Sequence, residues 1–235
     1  MEPIKVIHEN WLTHKPNPKA FVVTLMMTLL VFVTSYLILA GLLQADTNLI
    51  ASPQLVFEKH NYWRAWTTLL AHADVEHLIS NAFLFIPLTF LLYGYYGSLL
   101  FPVAGLVIGG LVNLIVLKNM PEATSLLGIS GVVYWMGAVW LTLYLLIDRR
   151  KKLRYRFAIA LFLCLTLFIP DKYQPQISYL SHLLGFIAGI LTAFIYYGLN
   201  YKQIHAAEKI EYIYEQVEAP IIEVIGPDPK DLESN

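Results

Sequence analysis

One uninterrupted apolar run constrains this chain more than any other feature. Residues 20–43 are 24 consecutive positions without a charged side chain. A helix rises about 1.5 Å per residue, so a run of this length is enough to cross a hydrocarbon core of roughly 30 Å. The run is longer than the apolar part of a signal peptide, and no clear small-residue cleavage pattern follows it. We therefore predict an uncleaved transmembrane helix near the amino terminus.

Apolar runs of similar length recur along the chain. Of its 235 residues, 57% are hydrophobic and only 14% are charged, whereas a soluble domain carries roughly 25% charged residues. Further spans are predicted, of which the one before last is the shortest, at residues 77–97, 98–117, 128–147, 157–170 and 180–200. The sequence therefore predicts an all-α membrane protein built as a bundle of six transmembrane helices.

The segment 148–156, DRRKKLRYR, sets the predicted orientation. Its six basic residues lie between the fourth and fifth spans, and the positive-inside rule places such loops in the cytoplasm. Six spans then put both termini inside. We predict a multi-pass protein of a bacterial inner (plasma) membrane, with a cytoplasmic segment 1–19, a membrane domain 20–200 and an acidic cytoplasmic tail 201–235 that is a short helix followed by disorder.

The composition disfavours several kinds of chemistry. The 16 basic and 17 acidic residues nearly balance, so nothing indicates the basic surface that nucleic-acid binding needs. The single cysteine, Cys164, excludes an intrachain disulfide, and the chain has no HExxH motif for zinc. All acidic residues fall outside the predicted spans or at their edges, which disfavours an aspartyl protease and most proton relays. We therefore expect no metal and no other cofactor.

A serine at the outer start of the fourth span is the first candidate for chemistry. Ser130 lies in the sequence GISG, between Gly128 and Gly131, where small neighbours let a substrate backbone come close. Ser130, Tyr134 and Gly137 share one face of the predicted helix. Taken alone, the pattern is more simply explained by small residues that help helices to pack.

A histidine at the outer start of the sixth span is the second candidate. Gly185 and Gly189 share a helix face with His182 and permit another helix to approach closely. A lone histidine at a span end is more often an interfacial residue. Two glycine-lined faces that meet would, however, bring His182 beside Ser130, as a base beside a nucleophile.

Two polar residues near the outer end of the second span complete the set. His77 and Asn81 are four positions apart and therefore lie on one face of that helix. A pair of hydrogen-bond donors beside a nucleophile can stabilise an oxyanion. An interfacial His77 and an interhelical hydrogen bond by Asn81 are the simpler alternative. The nearby His72 is expected to be structural.

Taken together, these residues resemble the rhomboid family of intramembrane serine proteases. The resemblance covers residues 63–197, and its motifs are, in chain order, Trp63-Arg64 with Thr67, His77-x-x-x-Asn81, GISG with Tyr134, and His182-x-x-Gly185-x-x-x-Gly189. It implies a six-helix rhomboid-like bundle in which water reaches the site from the outer face. It also implies that the loop holding Trp63 and Arg64 dips into the outer leaflet.

The resemblance assigns a role to each candidate residue. It implies a catalytic dyad with Ser130 as the nucleophile and His182 as the general base. It implies an oxyanion hole formed by His77, Asn81 and the backbone N–H of Ser130. It further implies that the ring of Tyr134 stacks on His182.

The expected function is therefore hydrolysis of peptide bonds in or next to the transmembrane segments of membrane proteins. Single-pass proteins in the lipid bilayer are the expected substrates, and the short fifth helix is the expected lateral gate by analogy with the family. The sequence does not indicate the oligomeric state. One alternative is a non-catalytic rhomboid-like protein that binds membrane proteins for quality control or trafficking, which the intact Ser130 and His182 disfavour. Another is a small transporter or channel, which the lack of intramembrane acids disfavours.

Overall fold

A computed structural model describes residues 3–122, 124–169 and 178–214. Six long helices, numbered α1 to α6 in chain order, run over Ala20–Leu39, Val75–Tyr96, Gly105–Lys118, Ser130–Ile147, Leu153–Phe168 and Tyr179–Leu199. Shorter helical segments lie at Trp11–Thr13, Leu42–Gln44, Ala45–Asn48, Gln54–Glu58, Arg64–Thr67, Thr68–Leu70, Leu99–Ala104 and Tyr201–Ala206. The strands are β1, Ile4–Glu9, and β2, Lys209–Ile213.

The helices confirm a multi-pass, all-α membrane protein. In the described ranges, five helices are long and apolar enough to cross a membrane, namely α1, α2, α4, α6 and the run Leu99–Lys118 that contains α3. The predicted fifth span, α5, has 16 residues and is therefore about 24 Å long, less than the roughly 30 Å of a hydrocarbon core. The predicted count of six is therefore not matched by six helices of full length.

Local sequence explains where α2 begins and ends. The side chain of Asp74 accepts a hydrogen bond of 2.7 Å from the backbone N–H of His77, which satisfies one of the free N–H groups of the first turn. The helix therefore starts at Val75, two residues before the predicted start. It ends before Gly97, whose φ of 84° is a conformation that glycine adopts readily.

Helix α4 lies at the centre of the bundle and contacts α2, α3, α5 and α6. Its closest approach is to α6. A Cβ atom on Gly185 would lie 2.2 Å from the carbonyl oxygen of Gly131, and one on Gly189 would lie 2.4 Å from that of Trp135. The two backbones therefore touch, which only glycine permits at these positions.

The predicted role of Gly137 in this contact is wrong. A Cβ atom there would lie 2.0 Å from the ring of Phe168, so Gly137 receives a side chain of α5 and does not face α6. The reason is the helical period. Six residues separate Gly131 from Gly137, which turns the two positions roughly 120° apart around α4. Gly131 is the glycine of α4 that meets α6.

Strands β1 and β2 form a small sheet that no sequence pattern predicts. Strand β1 pairs antiparallel with β2, with Ile4 opposite Ile213. The tail thus begins with the predicted short helix, Tyr201–Ala206, but continues as a strand where disorder was expected. The remainder of the predicted disordered tail, residues 215–235, lies outside the described residues.

The sheet lies at the same end of the bundle as the basic segment 148–156. The buried Asn10, just after β1, donates a hydrogen bond of 2.9 Å to the Asp148 carboxylate. Arg149 lies 3.4 Å from the carboxylate of Glu208, just before β2. We call residues 3–14, 148–156 and 201–214 the basic end. The opposite end of α4, where Ser130 lies, we call the site end.

Candidate active site

The packing of α4 on α6 brings Ser130 and His182 to the same end of the bundle. Ser130 is the first residue of α4 and His182 the fourth of α6. Gly131 follows Ser130 directly, and its carbonyl oxygen touches Gly185, which lies about one turn after His182. Both candidate residues are half-buried. The pair therefore lies beside the backbone contact between α4 and α6.

The His182 ring is held by aromatic packing. It lies stacked on Tyr134, with ring centroids 4.0 Å apart and an interplanar angle of 11°, which is the arrangement that the family resemblance implies. The Tyr134 hydroxyl donates a 2.8 Å hydrogen bond to the carbonyl oxygen of Phe168, at the end of α5. The position of His182 therefore depends on α5 as well as on α4. No sequence pattern indicates the contribution of Phe168.

The hydrogen-bonding capacity of the pair is unfilled. In the described part of the chain, the Nδ1 atom of His182 is buried without a hydrogen-bond partner. Among the described residues no carboxylate orients this ring, so they form a serine-histidine pair without the acid of a Ser-His-Asp triad. Neither does a described residue form a hydrogen bond with the Ser130 hydroxyl. Ring stacking and helix packing, and not a direct hydrogen bond, position the two residues.

His77 lies directly against the turn that precedes Ser130. Gly128 has a φ of 117°, and a Cβ atom there would lie 2.7 Å from Cε1 and 3.0 Å from Nε2 of His77. Only glycine combines this backbone conformation with this space. The ring of His77 is thus brought from α2 to the start of α4.

Two further N–H donors are available at this point. Asn81 is buried on the same face of α2, and its Nδ2 atom donates a 3.1 Å hydrogen bond to the carbonyl oxygen of His77. An amide nitrogen carries two hydrogens, so one remains available. The backbone N–H of Ser130 opens α4 and therefore has no partner within the helix. These groups are chemically suited to bind an oxyanion.

The turn before Ser130 is fixed by a set of hydrogen bonds to Thr68, which the sequence analysis did not single out. The Thr68 hydroxyl donates to the carbonyl oxygen of Leu126, and its own carbonyl accepts a 3.1 Å hydrogen bond from the N–H of Gly128. Leu126 also donates a 2.7 Å hydrogen bond to Ala51. The short helical segment Thr68–Leu70 therefore serves as a support for the start of α4.

His72 supports His77 from behind, in agreement with its expected structural role. It is fully buried, its ring lies 5.0 Å from that of His77, and its Nδ1 atom is 2.9 Å from the hydroxyl of Ser35 on α1. Burial, together with the nearby His77, lowers the pKa of His72 to about 4. His72 is therefore neutral at physiological pH, and the buried cluster carries no charge from it.

The segment between α1 and α2 is held together by contacts of Trp63, Arg64 and Thr67. Arg64 donates hydrogen bonds of 2.8 and 2.9 Å to the carbonyl oxygens of Thr47 and Ile50, while the Thr67 hydroxyl donates to a neighbouring carbonyl at 3.0 Å. Trp63 is half-exposed, and the Arg64 guanidinium lies 4.9 Å from its ring centroid. These residues shape the loop, and its entry into the outer leaflet stays a prediction.

Comparison with known proteins bears on the same residues. A family model described as Rhomboid domain matches residues 59–199, which is more than half of the chain. This range begins before the segment with Trp63 and ends with α6, so it includes every candidate residue. A search of curated proteins gives no significant match.

Proposed function

This chain belongs to the rhomboid family, and on that basis we propose that it is an intramembrane serine endopeptidase with Ser130 as the nucleophile and His182 as the general base. The observation that carries the proposal is the contact between α4 and α6. It combines a half-buried serine at a helix start with a histidine held by stacking on Tyr134.

In the proposed reaction, the Ser130 hydroxyl oxygen attacks the carbonyl carbon of the scissile peptide bond. His182 takes the hydroxyl proton and then gives it to the leaving amine as the peptide C–N bond breaks. A water molecule, deprotonated by the same ring, hydrolyses the acyl-enzyme. Because no acid in the described ranges orients the ring, its orientation depends on stacking against Tyr134.

The developing negative charge needs donors that are already in position. The His77 ring, the second amide N–H of Asn81 and the backbone N–H of Ser130 are the proposed oxyanion hole. The loss of a single such donor in a serine protease reduces the rate roughly 10²- to 10³-fold. The contact of His77 with Gly128 supports this assignment, because it brings the ring to the residue pair that precedes Ser130.

Single-pass membrane proteins are the proposed substrates, and α5 is the proposed gate through which they enter. Of its 16 residues, only Ala160 and Phe168 are buried, which makes α5 the most loosely packed long helix in the described ranges. A substrate helix in lipid keeps its amides paired, so cleavage is favoured where small or helix-breaking residues let it unwind. With the basic end in the cytoplasm, as the charge distribution favours, cleavage occurs near the outer surface.

Labelling with a fluorophosphonate probe tests the assignment. We expect the purified protein in detergent to react with the probe, and Ser130→Ala and His182→Ala each to abolish labelling, because one removes the nucleophile and the other its base. Ser98→Ala is the matched control, since Ser98 is an exposed serine beyond the far end of α2. Labelling that persists in Ser130→Ala contradicts the proposal.

The same experiment distinguishes the non-catalytic alternative. A rhomboid-like protein that only binds membrane proteins would capture a transmembrane client equally well before and after Ser130→Ala, and would neither cleave it nor react with the probe. The presence of both Ser130 and His182 favours the protease.

A further inference from the structure

The basic end contains a cavity that catalysis does not use. It has a volume of roughly 370 Å³ and is lined by Lys5, Val6, Ile7, Arg149, Arg150 and Arg156. Four of these six residues are cationic. They come from two parts of the chain that are distant in sequence, namely β1 and the basic segment 148–156. We propose that this cavity binds the phosphate headgroup of an anionic phospholipid from the leaflet at the basic end.

The charges that face the cavity do not balance. The Arg150 guanidinium is paired with the Asp148 carboxylate at 2.7 and 3.1 Å, and Arg149 is paired with Glu208 at 3.4 Å. Within the described ranges, neither Lys5 nor Arg156 has a carboxylate in ion-pair distance. Among the described residues, two positive charges are therefore uncompensated, and a phosphate group would supply the complementary charge.

Arg156 is only partly satisfied by the protein. One of its terminal nitrogens donates to the carbonyl oxygen of Leu145, whereas its Nε atom is buried and has no partner among the described residues. An unpaired buried donor on a charged group is costly. Arg156 lines the cavity, and its guanidinium fork favours bidentate contact with a phosphate group there.

The surroundings favour a lipid over free phosphate. A second cavity of roughly 540 Å³ shares Arg150 with the first and continues past Lys151 and Lys152 to Tyr155 and Ile159 on α5. Beyond it, α5 exposes a row of large apolar side chains, among them Phe162, which is 65% exposed. Cations at one end and an apolar helix face at the other match an amphiphile with a headgroup and acyl chains.

Such a lipid would join α5 to the rest of the basic end. Its phosphate would contact Lys5 of β1 and Arg156 of α5 at once. This contact would add to the weak packing of α5, which buries only two of its residues. The binding site itself is independent of the proposed catalysis, so its test uses Ser130→Ala as the parent protein as well as the wild type. Failure of the lipid proposal and failure of the protease proposal are therefore distinguishable.

The test is native mass spectrometry of the full chain released from detergent micelles that contain either phosphatidylglycerol or phosphatidylcholine. We expect retention of phosphatidylglycerol alone. The double variant Lys5→Gln/Arg156→Gln should bind it roughly 30-fold more weakly, since two basic contacts near the membrane surface are lost. The matched control Arg154→Gln/Lys202→Gln removes two exposed cations at the same end that line neither cavity, and should change binding less than twofold.

Three outcomes would overturn the proposal. The first is equal retention of the two lipids, and the second is equal weakening in both double variants. The third is that about 10 mM inorganic phosphate displaces phosphatidylglycerol and occupies the cavity to roughly the same extent as the lipid did. This result would identify the cavity as a site for the free anion. If Arg156→Gln prevents folding, Lys5→Gln alone serves, because Lys5 is exposed on β1 and its loss leaves the packing intact; it should weaken binding about fivefold.

Discussion

The two ends of this bundle are stabilised in different ways. Four ion pairs are formed within the described residues, and all of them lie at the basic end, namely His8–Glu211, Arg149–Glu208, Arg150–Asp148 and Lys209–Glu9. The site end depends instead on backbone contact at Gly131 and Gly185, on the stacking of Tyr134 against His182, and on the fit of His77 against Gly128.

The basic end therefore anchors the strands to the bundle, whereas the site end holds the residues proposed for catalysis. At the basic end, polar side chains are mostly satisfied by one another, so they hold the chain ends to the bundle. At the site end, glycine contacts and ring stacking position the proposed catalytic pair, and Nδ1 of His182 is left without a described partner. Groups that are positioned by packing keep their hydrogen-bonding capacity for a substrate. Perturbing shape should therefore damage activity, and perturbing charge should damage stability.

The largest effect is expected from Gly185→Ala. The added Cβ atom would lie 2.2 Å from the Gly131 carbonyl oxygen, so α4 and α6 must separate and His182 must move away from Ser130. A displacement of about 1 Å can reduce an enzymatic rate roughly 100-fold, and we expect at least that loss in probe labelling and substrate cleavage. Gly198→Ala on the same helix meets nothing within 4 Å and should retain full activity. Equal activity of the two variants would contradict the comparison.

Gly128→Ala should have the next largest effect. The new methyl group would meet the His77 ring at 2.7 Å, in addition to straining a backbone with a φ of 117°. We expect about a 100-fold lower cleavage rate, at the lower limit of the roughly 10²- to 10³-fold effect of losing an oxyanion donor, because the His77 ring is displaced and not removed. Gly97→Ala carries similar strain, with a φ of 84°, but in open space. Gly97→Ala therefore controls for backbone strain alone. A similar loss of activity in this variant would show that strain, and not displacement of His77, causes the effect of Gly128→Ala.

Asp148→Asn should instead lower stability with little effect on chemistry. Burial opposes ionisation of Asp148, but Arg150 and Asn10 outweigh it and hold the pKa of its carboxyl below the ordinary value. The substitution should lower the free energy of unfolding by about 2 kcal/mol at pH 7, the usual effect of losing hydrogen bonds to a charged group. The cleavage rate per folded molecule should stay within about twofold.

The pH dependence of this difference follows from the lowered pKa. A group with a depressed pKa in the folded state contributes its stability above its ordinary pKa, and that contribution is lost as the pH falls through the lowered value. The gap in thermal midpoint between wild type and Asp148→Asn should therefore be constant at neutral pH and shrink only below about pH 4. Glu58→Gln, which removes an exposed carboxylate outside the basic end, should show no such gap.

The smallest effect is expected from Glu211→Gln. Its carboxylate is 2.7 Å from His8, but both side chains are more than half exposed. Exposed ion pairs contribute little because water and salt screen them, so the change in free energy of unfolding should stay below about 0.5 kcal/mol. Thermal unfolding in low salt is the measurement. A loss as large as that of Asp148→Asn would show that exposed and buried pairs at this end contribute alike.

The sequence predicted the features that depend on local composition. The spans follow from long apolar runs, and the start of α4 lies within two residues of its predicted position because Gly128 and Ser130 mark it. Contacts between distant segments were beyond the pattern. Nothing local indicates that Thr68 supports Leu126, or that Phe168 faces Gly137, because each contact is set by how whole helices pack.

The strands show the same limit. Strand β1, IKVIHE, is short and mixes charged with apolar residues, so no strand was predicted there. Strand β2 precedes a strongly acidic stretch, and for this tail the charge suggested disorder. The pairing of β1 with β2 stabilises both, and that partner is not visible in either segment alone.

The pairing of β1 with β2 also constrains the number of times the chain crosses the membrane. Glu9 and Lys209 are 200 positions apart and lie side by side, so the chain between them must cross the bilayer an even number of times. The five helices of full length give an odd number, which would leave the two strands on opposite faces. The strand pairing therefore predicts that α5 provides a sixth crossing in spite of its 16 residues, with a bilayer that is thinner around it. Strand β2 follows every long helix in the chain. The sheet can therefore form only after the helices have been inserted so that both strands lie on the same side of the membrane.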